Sequence, residues 1–461
     1  MFQTINPATN QPIKSYEVMS HQTILEIAKE SHTAFNSWKH LTIKERSIHF
    51  QNLASILRKH QQEYATTMTN EMGKTITESL AEVEKCATLA ETLITKAPKW
   101  LQDQHKVVDG IDHIITFEPL GPIFIIMPWN YPFWQPIKVA LPHIIAGNTI
   151  ILKHARNVTG SSLALENAFK EAGFPSNIFQ SIISDHTSSK LLLESDNIAG
   201  CSLTGSVNAG STVAAEAGKN IKKTVLELGG SDPHIILEDY DLEKAAEFAV
   251  KGRTSNTGQV CIGSKRFIVH ESIAKTLAEK IAKKTAELKI GDPLNPETQI
   301  GPLVNHQAVS DMEEFVEDAK NKGAIILTGG KKPSHLPQNL QPGAFFEPTV
   351  ITNTTSNMRC VAEETFGPIA PIITFKTDEE AIQIANNTEF GLGATIWTSD
   401  IERATKIARH INAGGIFINS TSKSHPLLPI GGIKKSGYGR ELSEYGIKEF
   451  VNIKAINIYK P

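Results

Sequence analysis

An α/β architecture with two doubly wound, Rossmann-like parallel sheets and a small β oligomerisation arm follows from three features of the sequence. Short apolar runs alternate with helix-periodic segments over most of the 461 residues, the pattern of successive βαβ units. The alternation stops at Leu228-Gly229-Gly230 and then starts again, and a chain of this length divides into two or three domains rather than one. The tail, Phe450 to Tyr459, alternates as a strand but has no strand beside it in sequence, so it is read as an arm that pairs with another subunit.

From Thr23 to Leu101 apolar residues recur at three- and four-residue spacing with few breakers, as in Ile24-Ile27-Ala28 and Leu53-Ile56-Leu57, which predicts helices. The period then changes. Ile111–Phe117 reads as a strand, Gly121-Pro122 as a turn, and Ile123–Met127 as the continuous apolar run of a strand covered on both faces. Strands at Thr149–Leu152, Ile178–Ile183 and Ile198–Leu203 are separated by helices at Ser161–Ala172 and Ser188–Glu194. Beyond Gly230 the series resumes with Ile235–Leu237, a helix from Leu242, a strand at Phe267–Val269 and a helix over Ser272–Leu288, and continues to about Asn419.

Composition excludes several classes. A net charge of −3, from 46 basic and 49 acidic side chains, is not that of a nucleic-acid binder. Four scattered cysteines without a CxxC pair make neither a disulfide framework nor a zinc ribbon and fit a reducing compartment. Residues 1–13 lack a basic segment followed by an apolar core, and the apolar runs are too short to span a bilayer. A soluble cytoplasmic protein is expected. The 16 histidines form no HExxH and no metal-ligand cluster, and the GxSxG elbow of a serine hydrolase is missing.

Four segments carry chemistry-bearing residues, three of them at the ends of expected strands and one in a loop between helix and strand. Gly258-Gln259-Val260-Cys261 places a cysteine in a loop between helix and strand, where a nucleophilic thiolate could form. Glu227-Leu228-Gly229-Gly230 ends a strand with a carboxylate suited to general-base work. Pro128-Trp129-Asn130 offers an amide donor at the carboxyl end of a buried strand, where parallel sheets hold ligands and where an oxyanion could be met. Thr204-Gly205-Ser206 opens a helix whose N-terminus could take a phosphate, with Lys153 at the end of another strand. Each has a plain counterpart when taken alone: a buried structural thiol, a solvated glutamate, a turn asparagine, a surface lysine.

Together and in this order these segments resemble the landmarks of the aldehyde dehydrogenase superfamily. Glu363-Glu364-Thr365-Phe366-Gly367-Pro368, Pro429-Ile430-Gly431-Gly432 and Lys435-Ser436-Gly437 match further landmarks, and the likeness runs from Asn6 to the end of the chain. The resemblance implies NAD(P)-dependent oxidation of an aldehyde to an acid. It assigns Cys261 as nucleophile, Asn130 with the Cys261 backbone N–H as oxyanion donors, and Glu227 as the base that activates water. It assigns Trp129, Lys153, Gly205, Ser206, Glu364 and Phe366 to the cofactor. It also implies a cofactor-binding domain over 1–104 and 119–229, a catalytic domain over 230–427, and an arm from 105–118 and 446–461 that joins subunits into a homodimer or homotetramer.

Departures from the family pattern bear on specificity. Arg156 stands where NAD-preferring members often carry a glutamate; it could attract a 2′-phosphate, so either NAD or NADP is expected, tilted toward NADP. Lys153-His154-Ala155, the Gly258–Arg266 loop and the Gly431–Glu441 tail look most like the short bacterial succinate-semialdehyde dehydrogenases. That small aldehyde carries a carboxylate and needs a cation in its pocket. Gapless counting puts Lys138 at the position of the family's helix arginine, with Val139 where the usual lysine stands, and Ser255 replaces a second arginine. Arg253, Lys423 and His425 are the alternatives. The rival expectations are another small aliphatic or amino-aldehyde and, in a different class, a non-catalytic protein on this fold; Glu227 argues against transfer of the thioester to CoA.

Overall fold

A computed structural model describes residues 1–459 of the chain, so positions 460–461 of the expected arm lie outside the described residues. Both doubly wound sheets are present. In the first, Pro122–Met127 lies at the centre, parallel to Thr149–His154 on one side and to Gly200–Thr204 on the other. The chain moves outward to Phe179–Ile182, then returns to place Gly200–Thr204 and Lys223–Glu227 on the opposite flank. The strand order therefore reverses between Pro122–Met127 and Gly200–Thr204, and such a switch opens a crevice at the carboxyl ends of the strands. Met127, Thr204 and Glu227 all end at that crevice.

The central run is continuously apolar because helices cover both faces. Ile123, Phe124 and Ile125 are fully buried, each worth about 1.5–3 kcal/mol of apolar burial. The helix-periodic N-terminal region forms four helices, His21–Trp38, Ile43–Lys59, Gln61–Met72 and Ile76–Trp100. Thr42 and Glu45 start the second with a reciprocal capping box.

The second sheet repeats the winding around Pro233–Ile236, which lies between Arg266–His270 and Gly393–Trp397. Ile369–Phe375 and Thr349–Thr352 extend one flank and Gly415–Ile418 the other.

The C-terminal strand, which has no strand beside it in sequence, is paired within its own sheet. Val451–Asn457 has a partner in its own chain: it pairs antiparallel with Ile111–Pro119, whose other edge takes Gln104–Val108. Sequence distance, not absence, hid the pairing. An N-terminal hairpin, Phe2–Asn6 with Gln11–Tyr16, was not anticipated. Among the described residues no helix is long and apolar enough to cross a membrane.

Candidate active site

The Pro128-Trp129-Asn130 segment leaves the central strand and is fixed from below by helix Ile76–Trp100. Glu82 on that helix accepts from the backbone N–H groups of Phe133 (2.9 Å) and Trp134 (2.8 Å), capping helix Trp134–Ala146. Glu82 is itself paired with Lys74, both side chains being buried, and the Lys74 ammonium stands 3.5 Å from the Tyr131 ring centroid. Asn130 is buried, and its Nδ2 donates to the Gln259 carbonyl at 3.0 Å. One N–H of the amide remains for a ligand. In return Asn256 Nδ2 donates to the Asn130 carbonyl at 2.9 Å, so the asparagine and the cysteine loop are stitched together.

That loop is held in a costly conformation. Asn256 (φ 47°) and Thr257 (φ 53°) both occupy the left-handed region, followed by Gly258 (φ 78°). Non-glycine residues there persist only where their surroundings over-determine them, typically at functional sites. Glu78 accepts from the Asn256 N–H at 2.7 Å and from Ser255 Oγ at 3.1 Å. Arg253 donates to the carbonyls of Ser264 (2.9 Å), Gly258 (3.2 Å) and Thr365 (2.9 Å). Arg253 is therefore no receptor for a substrate: its guanidinium is buried among backbone carbonyls. Gly258 admits no side chain, because a Cβ would lie 2.4 Å from the Gly367 carbonyl carbon.

Cys261, at the end of this loop, is partly exposed, whereas Cys86, Cys201 and Cys360 are buried. Burial pushes its thiol up to about 11, opposed by the nearby Lys138 and Lys265. Glu227 is buried, and its Oε1 has no hydrogen-bond partner. Burial first, then the Glu441 carboxylate, raise it to about 8. Gly431 leaves room for it: a Cβ there would stand 2.9 Å from Glu227 Oε1.

Lys138 reaches the same place but not as a free cation. It is buried with Glu441, Nζ to Oε2 2.5 Å, an ion pair the sequence did not disclose. Burial lowers its proton affinity, but Glu441 and Glu227 outweigh that and hold it above the ordinary lysine value.

Two cavities meet at Cys261. One, of 280 Å³, lies at the switch point and is lined by Trp129, Gly205, Ser206, Glu364 and Phe366. The Phe366 ring stands edge-on to Trp129 at 5.7 Å. Glu364 pairs with Lys265 and accepts from the Gly230 N–H at 3.1 Å. Ser206 accepts from the Ala209 N–H at 3.2 Å and caps the 13-residue helix Val207–Lys219, whose N-terminus thus opens on the crevice. An apolar and aromatic wall with a helix N-terminus beside it fits a nicotinamide dinucleotide. Lys153 and Arg156 lie farther along the strand ends and do not line this cleft: Lys153 is buried, and exposed Arg156 places its guanidinium 5.5 Å from the Phe2 ring centroid.

The other cavity, of 250 Å³, holds Lys85, Trp134, Lys138, Lys251 and Lys423. His425 is not among its lining residues; it borders the neighbouring groove by helix Ile76–Trp100. A larger groove of 640 Å³ lies between helix His21–Trp38 and residues 175–178 and contains none of the chemistry-bearing residues, so size does not locate the site. Sequence reasoning missed Glu78, Glu82, Lys85, Asn256 and Glu441. Only Glu441 had a signal, its place in the Gly-Arg-Glu tail segment.

The aldehyde dehydrogenase family model matches residues 1–456. A probable NADP(+) succinate-semialdehyde dehydrogenase of Synechocystis sp. is 42% identical, over 98% of each chain. An NAD(P)+ succinate semialdehyde dehydrogenase of Escherichia coli is 39% identical, over 98% of this chain and 97% of that one. The crystal structure of succinic semialdehyde dehydrogenase from Streptococcus pyogenes, in complex with NADP+, superposes with a TM-score of 0.96 at 37% identity, covering both chains fully.

Proposed function

The chain belongs to the aldehyde dehydrogenase family, and on that footing we propose that it oxidises succinate semialdehyde to succinate, with NADP preferred over NAD. The observation that carries the substrate is the cavity beside Cys261, whose wall carries four lysines and no arginine. A short aldehyde ending in a carboxylate matches that wall; a neutral aldehyde gains nothing from it. The NADP preference rests on the relatives named for that cofactor and on Arg156 near the outer strand ends.

The proposed steps use the side chains around the two cavities. The Cys261 thiol gives its proton to Glu227 and attacks the aldehyde carbon, forming a thiohemiacetal whose oxyanion faces the free N–H of Asn130 and the Cys261 backbone N–H. A nicotinamide cofactor held in the cleft of Trp129, Ser206, Glu364 and Phe366 would supply the hydride acceptor. Once Glu227 has lost the thiol proton to solvent, its carboxylate takes a proton from the water that cleaves the residual thioester and passes it to the departing sulfur, releasing the acid and restoring the thiol. One aldehyde, one oxidised cofactor and one water give one carboxylate, one reduced cofactor and two protons. The rival substrate, a small uncharged aldehyde, draws on one observation: Lys138 is neutralised by Glu441. The antiparallel arm exposes Val107, Ile453 and Ile456, which supports a homodimer or homotetramer, and the four free cysteines support a reducing, cytoplasmic location.

Steady-state kinetics with succinate semialdehyde and butyraldehyde, each with NAD and NADP, test this reading. The expected result is a kcat/KM for the semialdehyde at least about tenfold above that for butyraldehyde, a difference one charged hydrogen bond supplies. Equal values would remove the anionic substrate, and equal use of NAD would remove the cofactor preference.

A further inference from the structure

Granting the succinate semialdehyde reading, the cavity must contain a cation that is both fixed in position and free of a protein carboxylate. Lys138 is fixed but paired with Glu441. Lys251 and Lys423 are exposed at the rim, where a long side chain loses entropy on being held. The fourth lysine is different. Lys85 projects from helix Ile76–Trp100, a segment in which sequence reading found only helical periodicity. Its Nζ donates to Ser424 Oγ at 2.6 Å and stands 4.0 Å from the Trp134 ring centroid, so a hydroxyl and an aromatic face hold it against the cavity wall.

The carboxylates around Lys85 are taken. Glu82 is paired with Lys74 and caps two backbone N–H groups. Glu84 is paired with Arg58. Lys74, Lys138 and Lys265 each have a carboxylate partner; among the described residues Lys85 has none. Burial, with Lys138 and Lys74 adding repulsion, lowers it to about 8, so it is still mainly charged at neutral pH. A cation held half-buried without a counter-ion is expensive, and an arriving carboxylate would relieve that cost.

We infer that Lys85, oriented by Ser424 and Trp134, receives the distal carboxylate of the substrate while Cys261 in the same cavity attacks the aldehyde end. This cation comes from a helix outside both sheets, whereas the positions considered from sequence lie near the nucleophile loop, the tail and the helix after Asn130. Lys138 serves instead to balance Glu441 and Glu227.

The test compares the wild type with Lys85→Met and Lys85→Arg in three measurements: kinetics with succinate semialdehyde, kinetics with butyraldehyde, and inhibition of butyraldehyde oxidation by succinate. In Lys85→Met the ratio of kcat/KM for the semialdehyde to that for butyraldehyde is expected to fall about 10- to 100-fold. The fall should lie mainly in KM, and the succinate inhibition constant should rise by a similar factor. Lys85→Arg, which keeps the charge, should recover most of both. If Lys85→Met lowers both substrates by one factor and leaves succinate inhibition unchanged, Lys85 is a packing residue and the inference fails. If the wild type does not prefer the semialdehyde, the substrate reading fails separately, and the succinate inhibition constants still decide whether Lys85 is an anion receptor.

Discussion

Glu227 and Cys261 both lie in surroundings that favour their neutral forms, and this governs how the site responds to pH. Glu227 is held near 8 by burial and by Glu441, so at pH 7 only about one-tenth is in the base form. The sign follows from its role: a general base works when deprotonated, so turnover limited by thioester hydrolysis should rise about tenfold between pH 7 and 9. Glu227→Gln should lower kcat by about 10²- to 10⁴-fold and remove the rise near pH 8. A pH profile that keeps its limb in the variant would assign the titration to another group. At this scale the proposed reactive side chains were legible as candidates, because Asn130 and Glu227 sit in local motifs at strand ends and Cys261 in a loop between helix and strand. Their partners were not, because Lys138 and Glu441 meet only through the tertiary fold. Charge type was readable from sequence; charge availability was not.

The elements that carry these residues are fixed by buried polar contacts as much as by apolar packing. Glu82 caps helix Trp134–Ala146 from another helix and neutralises Lys74. Removing one member of such a pair leaves a buried charge uncompensated, at about 3–5 kcal/mol. Glu82→Gln should therefore shorten the thermal inactivation half-life and lower activity through the Asn130 segment, whereas Glu84→Gln, half-exposed on the other face of the same helix and paired with Arg58, should change the half-life little. Equal half-lives in the two variants would show that the cap is dispensable. Elements were legible wherever burial imposes a period, as in the apolar strand Pro122–Met127. They were not where it does not: Gln104–Val108 is exposed at every position and exists because Asp109-Gly110, both at positive φ, turn the chain back onto Ile111–Pro119. The strained run Asn256–Gly258 was equally silent, since its cause lies in Glu78 and Arg253, outside the loop.

Across the molecule, the two reversed sheets explain why one crevice can hold both a dinucleotide and a thiol: the switch point of the first opens where the loop entering the second presents Cys261. The arm remains. Its three strands satisfy one another internally, yet Val451–Asn457 and Gln104–Val108 are the outer members of the sheet, and Ile453 is 60% exposed and Val107 71%. A long edge with apolar side chains is a template for pairing with another chain, and monomeric proteins usually block it with charge or a covering element. The tail was readable as a strand from its alternation. Its partner within the chain, Ile111–Pro119, is too distant in sequence for alternation alone to reveal; only the resemblance put the two segments in one arm. The homo-oligomer predicted from this edge can be tested without touching the catalytic residues. Ile453→Lys combined with Ile456→Lys adds charge to the outer strand and should shift the mass measured by light scattering from dimer or tetramer toward the 50.5 kDa monomer, increasingly so on dilution. An unchanged mass at low micromolar concentration would place the subunit interface on another face.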